Sequence, residues 1–251
     1  MATIILVRHG ENDWSKQNKL AGHIPGVHLN ETGHRQAQAV AQRLAALPIK
    51  AIYSSPVTRC METAGYIADT HRLAVLHLNE VAEVQYGDWE GKKIKKLARK
   101  PLWRAVQFFP SRARFPAGEA LREVQFRAVQ ALEEISHKHE KELIVVVSHA
   151  DVIRLVMAHY LGTHIDLFQR IVISPTSVSI LTLSEEGMVR VLRMNDDGPL
   201  HMPEPTDHKP KNKSAKKDKR NRSAQKAAKT KANAGSHDAA PMAMAPSDEE
   251  E

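Results

Sequence analysis

Apolar residues along this chain recur with two different periods. Thr3-Ile4-Ile5-Leu6-Val7 and Leu143-Ile144-Val145-Val146-Val147 are short, β-branched and continuous. Runs of this kind predict strands buried on both faces. Ala51-Ile52-Tyr53 and Ala74-Val75-Leu76 predict two shorter strands, and Ser177–Leu183 and Met188–Met194 alternate polar with apolar residues as half-buried strands do. Between them the spacing turns helical. Ala37, Val40, Ala41 and Leu44 form one apolar face, opened by the capping side chain of Asn30 and closed before Pro48. Pro56 suits the first turn of a helix carrying Arg59, Thr63 and Ile67. Beyond Gly118, Leu121, Val124, Ala128, Val129, Leu132 and Ile135 mark a long helix, and Ile153, Val156, Met157 and Tyr160 mark another that ends at Gly162. Gly10–His28 reads as a polar loop and Glu80–Pro116 as mixed structure. Repeated strand–helix units predict an α/β fold, a three-layer α/β/α sandwich around a mostly parallel sheet.

The pattern stops near residue 198. From His201 to Glu251 there is no Leu, Ile, Val, Phe, Trp or Tyr. Such a segment has too little apolar surface to offset the entropy lost on folding. The expected organisation is a folded domain over residues 1–198 and a disordered, basic, low-complexity tail over residues 199–251. Lys209–Lys231 holds eleven Lys/Arg against the single acid Asp218, and the chain ends in Asp248-Glu249-Glu250-Glu251. The basic run admits nucleic-acid binding by counterion release, but a solvated extension is the simpler reading and is preferred.

Overall charge is +7, from 36 Lys/Arg and 29 Asp/Glu in 251 residues. This suits an acidic partner without naming one. One cysteine, Cys60, excludes an intramolecular disulfide and a cysteine-rich metal site, and fits a reducing cytoplasm. The apolar run at the N-terminus stops at Arg8, too short for a leader, and no stretch reaches the roughly 18 apolar residues of a membrane span. A cytoplasmic protein without membrane association is expected, as a monomer or homodimer.

The candidate chemistry lies where strands end. Arg8-His9-Gly10-Glu11 follows the first strand, and Ser148-His149-Ala150 follows the strand at 143–147. In open α/β sheets, ligands bind at the carboxyl ends of strands. If these two strands are neighbours, both histidines emerge at one edge, and Arg59 at the start of its helix reaches the same place. Two arginines, two histidines and helix N-termini concentrate positive potential, and arginine is suited to hold a phosphate bidentately. Gly10 lets the backbone come close. Cys60 reads as a small apolar residue within its helix. Trp14 and Trp89 read equally as substrate wall or packing. His23, His28, His137 and His139 read as surface or loop residues, with His137 and His139 on different helix faces and so not a metal pair.

These segments are similar to the histidine phosphatase superfamily, which includes cofactor-dependent phosphoglycerate mutases and many phosphatases. The resemblance covers residues 3–195. It is carried by Leu6–Glu11, Leu29–Gly33 with Gln36-Ala37, and Ser54-Ser55-Pro56 with Arg59, Glu62-Thr63 and Ala64. It continues in Gly87–Gly91, Pro116–Glu119 and Ser148-His149 with Val152-Ile153-Arg154. Pro101–Phe115 and Asp166–Arg170 resemble a narrower bacterial branch of phosphomutase-like phosphatases.

The resemblance implies a metal-independent phosphatase of small phosphomonoesters, without cofactor, acting on a small phosphorylated metabolite through a phosphohistidine. His9 matches the nucleophile, and Arg8, Arg59 and His149 match the groups that hold the phosphoryl oxygens. Glu83 matches the general acid, with Glu80 as its rival. Asn12 and Ser15 stand at positions where relatives place phosphate-contacting residues of other types, and both retain a hydrogen-bond donor. Gly22 matches a backbone substrate contact. Two alternatives stand beside this reading: a phosphomutase, and a non-catalytic protein that binds nucleic acid through the tail.

Overall fold

The computed structural model describes residues 1–184 and 187–198. The expected tail, 199–251, lies outside the described residues. Six strands form one sheet: β1 (Ala2–Arg8), β2 (Ile49–Ser54), β3 (Val75–His77), β4 (Leu143–Ser148), β5 (Val178–Leu183) and β6 (Val189–Asp196). Their order across the sheet is β3-β2-β4-β1-β5-β6. The pairs β1–β4, β2–β4 and β2–β3 are parallel, whereas β5 runs antiparallel to β1 and to β6. The helices are α1 (Asp13–Lys16), α2 (Glu31–Leu44), α3 (Thr58–His71), α4 (Ile94–Leu97), α5 (Pro101–Phe108), α6 (Leu121–Lys138) and α7 (Ala150–Tyr160). None of the described helices is long and apolar enough to cross a membrane.

The continuous apolar runs have the cause expected of them, because both faces of the sheet are covered. Ile5, Val7, Val145 and Val147 pack with Val40 and Leu44 of α2 and Ile67 of α3. Their strand neighbours Ile4, Leu6, Ile144 and Val146 face the opposite way, toward Leu132 of α6, Val156 of α7 and the segment that holds Trp89 and Phe115. The result is the three-layer arrangement expected from the sequence.

Helix ends follow local chemistry. The Asn30 side chain accepts from the Gly33 amide and opens α2. At the end of α7, Gly162 adopts φ +64°, its amide donates to His159 O, and the Thr163 amide donates to Ala158 O. These are the two bonds of a Schellman stop. Two details differ from expectation. Pro56 lies outside α3, which begins at Thr58 with Val57 as its cap. The chain turns first, with the Val57 amide donating to Ser55 Oγ at 3.3 Å. The polar loop after β1 also contains α1, held by a reciprocal cap between Asn12 and Ser15.

Sheet register sets the height of the functional loops. Arg8 lies opposite Ser148 in the β1–β4 pair, and Ser54 lies opposite Val147 in the β2–β4 pair. His9, Ser55 and His149 are therefore the first residues beyond three adjacent parallel strands.

Candidate active site

His9 leaves β1 buried, and its Nδ1–H donates to its neighbour's carbonyl, Gly10 O, at 2.7 Å. That bond assigns the proton to Nδ1 and leaves the lone pair on Nε2. Burial holds the imidazole well below its ordinary 6.5, and the cations Arg59 and Arg8 push the same way. His9 is thus neutral at neutral pH, with an unprotonated lone pair on Nε2.

Arg59 is 1% exposed and organises the centre. Its Nε donates to His9 Nε2 at 3.2 Å, and its Nη2 donates to Gly22 O at 3.1 Å and His149 Nδ1 at 3.0 Å. Its Nη1 is buried without a partner among the described residues. A buried guanidinium with an unused N–H is poised for an acceptor that arrives with a ligand. Arg8 has the same character. Nη1 donates to Ile173 O at 2.7 Å, whereas Nε has no partner among the described residues.

His149 begins α7 as its cap residue. Since Nδ1 accepts from Arg59, the proton lies on Nε2, which donates to Ser55 Oγ at 2.8 Å. Burial and then Arg59 hold this imidazole far below its ordinary value as well. The two rings stand edge to face, with centroids 5.2 Å apart.

Glu83 completes the cluster. Its Oε1 accepts from the Val84 amide at 3.1 Å, and Oε2 lies 3.5 Å from both Arg59 Nη2 and His149 Nδ1. Burial, opposed by Arg59, pushes the carboxyl up to about 7. Such a group exchanges a proton near neutrality. Glu80 is exposed and outside the cluster, with its carbonyl held by Arg127. Arg127 also donates to Ala82 O and Glu83 O, fixing the main chain that carries the carboxyl.

Other expected residues have narrower places. Asn12 Oδ1 accepts from the Ser15 amide at 2.9 Å, and Ser15 Oγ donates to Asn12 O at 2.8 Å. These two side chains therefore build the cap of α1. Gly22 is buried at φ +51°, where a Cβ would lie 2.2 Å from Glu90 Oε1, and its carbonyl is taken by Arg59. Gly10 allows a close approach, but to protein: its Cβ would lie 2.6 Å from Gly33 O. Cys60 is fully buried 3.3 Å from His149 Nε2, and burial drives its thiol up to about 12. Trp14 is half-buried, whereas Trp89 belongs to the core.

Sequence reasoning missed His23 and Ser55. His23, read as a surface or loop residue, does lie in a loop, but it is half-buried and its Nε2–H donates to Glu83 O at 2.6 Å. No periodicity marks a loop residue of this kind. Ser55 could have been suspected, since it follows β2 as His9 follows β1.

The profile of the histidine phosphatase superfamily (branch 1) matches residues 4–197. The chain belongs to this superfamily. Among its relatives, phosphoserine phosphatase 1 of Hydrogenobacter thermophilus is 31% identical over 197 residues, covering 78% of this chain and 92% of its own. A metal-independent phosphoserine phosphatase of Arabidopsis thaliana is 36% identical over 159 residues, covering 61% of this chain and 66% of its own. Of solved structures, Bacillus stearothermophilus YhfR superposes with a TM-score of 0.74 at 28% identity, covering 78% of this chain and 98% of that one. This histidine phosphatase therefore shares a fold and a phosphatase activity with its relatives.

Proposed function

We propose that this histidine phosphatase hydrolyses small phosphomonoesters without a metal ion, through a phosphohistidine on His9. The observation that carries the reading is the His9 imidazole, with its proton fixed on Nδ1 and its Nε2 lone pair facing the Arg59 guanidinium. A phosphoryl group that replaces the Arg59–His9 bond meets the nucleophile on one side. Arg8 Nε and Arg59 Nη1, both without partners, meet its oxygens. The two arginines supply the positive charge that a metal supplies in other phosphatases.

The reaction runs in two steps. His9 Nε2 attacks phosphorus as the ester P–O bond breaks, and the Glu83 carboxyl gives its proton to the departing oxygen. The Glu83 carboxylate then takes a proton from water, whose oxygen attacks phosphorus. The P–N bond breaks, its electron pair returns to Nε2, and inorganic phosphate leaves. Arg8, Arg59 and His149 stabilise the charge spread over the phosphoryl oxygens in both steps. The buried free cysteine supports a cytoplasmic setting, and the relatives' names support a small phosphorylated metabolite as substrate.

The test is phosphate release from a panel of phosphomonoesters with EDTA present, by the wild type and His9→Ala. Release that depends on His9 is expected. Equal release by both proteins would remove His9 as nucleophile, and transfer between positions of a primed substrate without release would favour a phosphomutase.

A further inference from the structure

Glu83 sits on chain that has no regular structure of its own, since residues 82–86 belong to neither helix nor strand. Such backbone has no ladder to hold its carbonyls, so other groups must satisfy them. Each carbonyl of residues 80–83 accepts from a side chain of another segment. Ser148 Oγ, at the end of β4, donates to Val81 O at 2.7 Å. His23 Nε2–H, from the loop after α1, donates to Glu83 O at 2.6 Å. The remaining bonds come from one residue of α6, Arg127. Its Nη1 donates to Glu80 O, and its Nη2 donates to Ala82 O at 2.9 Å and to Glu83 O at 3.1 Å.

Arg127 is itself held in place. Nε donates to Glu119 Oε1 at 2.9 Å and Nη2 to Glu119 Oε2 at 3.0 Å, a bidentate pair. Glu119 is tied to the same irregular segment. Its Oε2 also accepts from the Gln85 amide at 2.9 Å, and its own amide donates to Gln85 O at 3.0 Å. The two stretches run so close that a Cβ on Gly118 would lie 2.1 Å from Gln85 O. The Glu119 carbonyl in turn accepts from the Phe115 amide at 3.0 Å, and Phe115 lines the cavity beside Glu83. One guanidinium therefore joins the backbone of Glu83 to the wall of that cavity. Among the described residues its hydrogen bonds go only to Glu119 and to main-chain oxygens.

We propose that Arg127 is a positioning residue of the reaction: clamped by Glu119, it fixes the main chain of residues 80–83 and so holds the Glu83 carboxyl at the oxygen of the leaving alcohol. This rests on the reading of Glu83 as the general acid. Arg127 touches no reacting atom, and paired with Glu119 it supplies placement and no net charge. Proton delivery is sensitive to placement, since a shift of about 1 Å can cost about 100-fold. Loosening the clamp therefore penalises esters that need the proton and spares those that do not.

The experiment compares kcat/KM of the full chain for two esters of similar size. Benzyl phosphate leaves as an alkoxide and p-nitrophenyl phosphate as a stable anion. Because kcat/KM reports the steps up to the phosphoenzyme, the later hydrolysis common to both does not enter. Arg127→Met should lower the benzyl-to-nitrophenyl ratio about tenfold or more. Arg127→Lys keeps the charge opposite Glu119 but has one nitrogen for all these directions, and should lower the ratio about threefold or more. It carries the test if the methionine variant does not fold. In a Glu83→Gln background neither substitution should move the ratio further, because no proton remains to be placed. A merely structural role would depress both esters together and leave the ratio unmoved, which overturns the inference. A further fall of the ratio in the Glu83→Gln background also overturns it. An equal loss of both esters in Glu83→Gln alone removes Glu83 as the acid and the inference with it, while release that still depends on His9 leaves the phosphohistidine intact.

Discussion

Arg59 Nε donates a hydrogen bond to Nε2 of His9 across 3.2 Å, so the atom assigned as nucleophile is held by the guanidinium assigned to bind its target. The same side chain reaches Gly22 O and His149 from Nη2. A lysine has one nitrogen and cannot serve these directions together. Arg59→Lys should lower kcat/KM by about 100-fold or more, in line with losing one preorganised donor to the transition state. Steady-state phosphate release measures this, and a loss below about threefold would mean that Arg59 is structural.

Glu83→Gln should separate substrates by leaving group. Esters of alkyl alcohols need the proton, and their kcat/KM should fall by about 10²–10⁴. p-Nitrophenyl phosphate leaves as a stable anion and should lose far less. A uniform loss would remove Glu83 as the acid.

The same carboxyl sets a pH limb. Pushed up to about 7, it is protonated below that pH, whereas His9 stays neutral because its imidazole is held well below 6.5. For an alkyl ester kcat/KM should fall about tenfold per unit above pH 7, since only the protonated carboxyl can donate. A profile that instead rose through pH 7 would signal a base in the first step. Stability follows the same sign. The folded state holds the Glu83 proton more tightly than the unfolded chain, so this contribution is full below about pH 4.5 and is lost as pH rises through 7. Urea midpoints of wild type and Glu83→Gln should diverge as pH rises from about 4.5 to 7, the wild type losing stability relative to the variant, and run parallel above that.

Gly33→Ala should destabilise the domain without touching a reacting group. The added Cβ would lie 2.0 Å from Glu11 O, where two backbone segments meet. A cost of about 3 kcal/mol is expected, as for overpacking where neither side can yield. Urea unfolding measures it, and a cost under about 0.5 kcal/mol would show that the contact relaxes freely.

Cys60 should resist alkylation in the native state at pH 8. Its thiol is fully buried and driven up to about 12 by that burial, so almost no thiolate exists. Iodoacetamide labelling followed by intact mass should show modification only in denaturant. Rapid native labelling would contradict the burial.

The sheet was legible because its chemistry is periodic. Val145 and Val147 face one side and Val146 the other, and continuous apolar residues announce two covered faces. Asn30 was legible as a cap because an N-cap is a local bond to an amide three residues on. The mutual cap of Asn12 and Ser15 has the same form, but it holds a single turn with no apolar face to reveal it. The place of His23 was not decided by local signals, and Glu83 was preferred over Glu80 only through the spacing to Gly87 that the resemblance supplies. His23 and Glu83 lie on irregular chain, and their directions depend on partners such as Arg127, 44 residues from Glu83. Resemblance supplied Glu83, and burial separates it from its rival.

His9 and His149 are 140 positions apart in sequence, yet their spacing is fixed by the β1–β4 ladder, in which Arg8 pairs with Ser148. The loops over residues 10–30 and 84–120 carry none of that spacing. Spacing and surroundings are thereby partly separable: the stretch over residues 92–115 can be lengthened, shortened or repopulated while the two rings keep their distance, whereas one residue inserted within either strand would turn a proposed reacting ring to the opposite face and silence the enzyme.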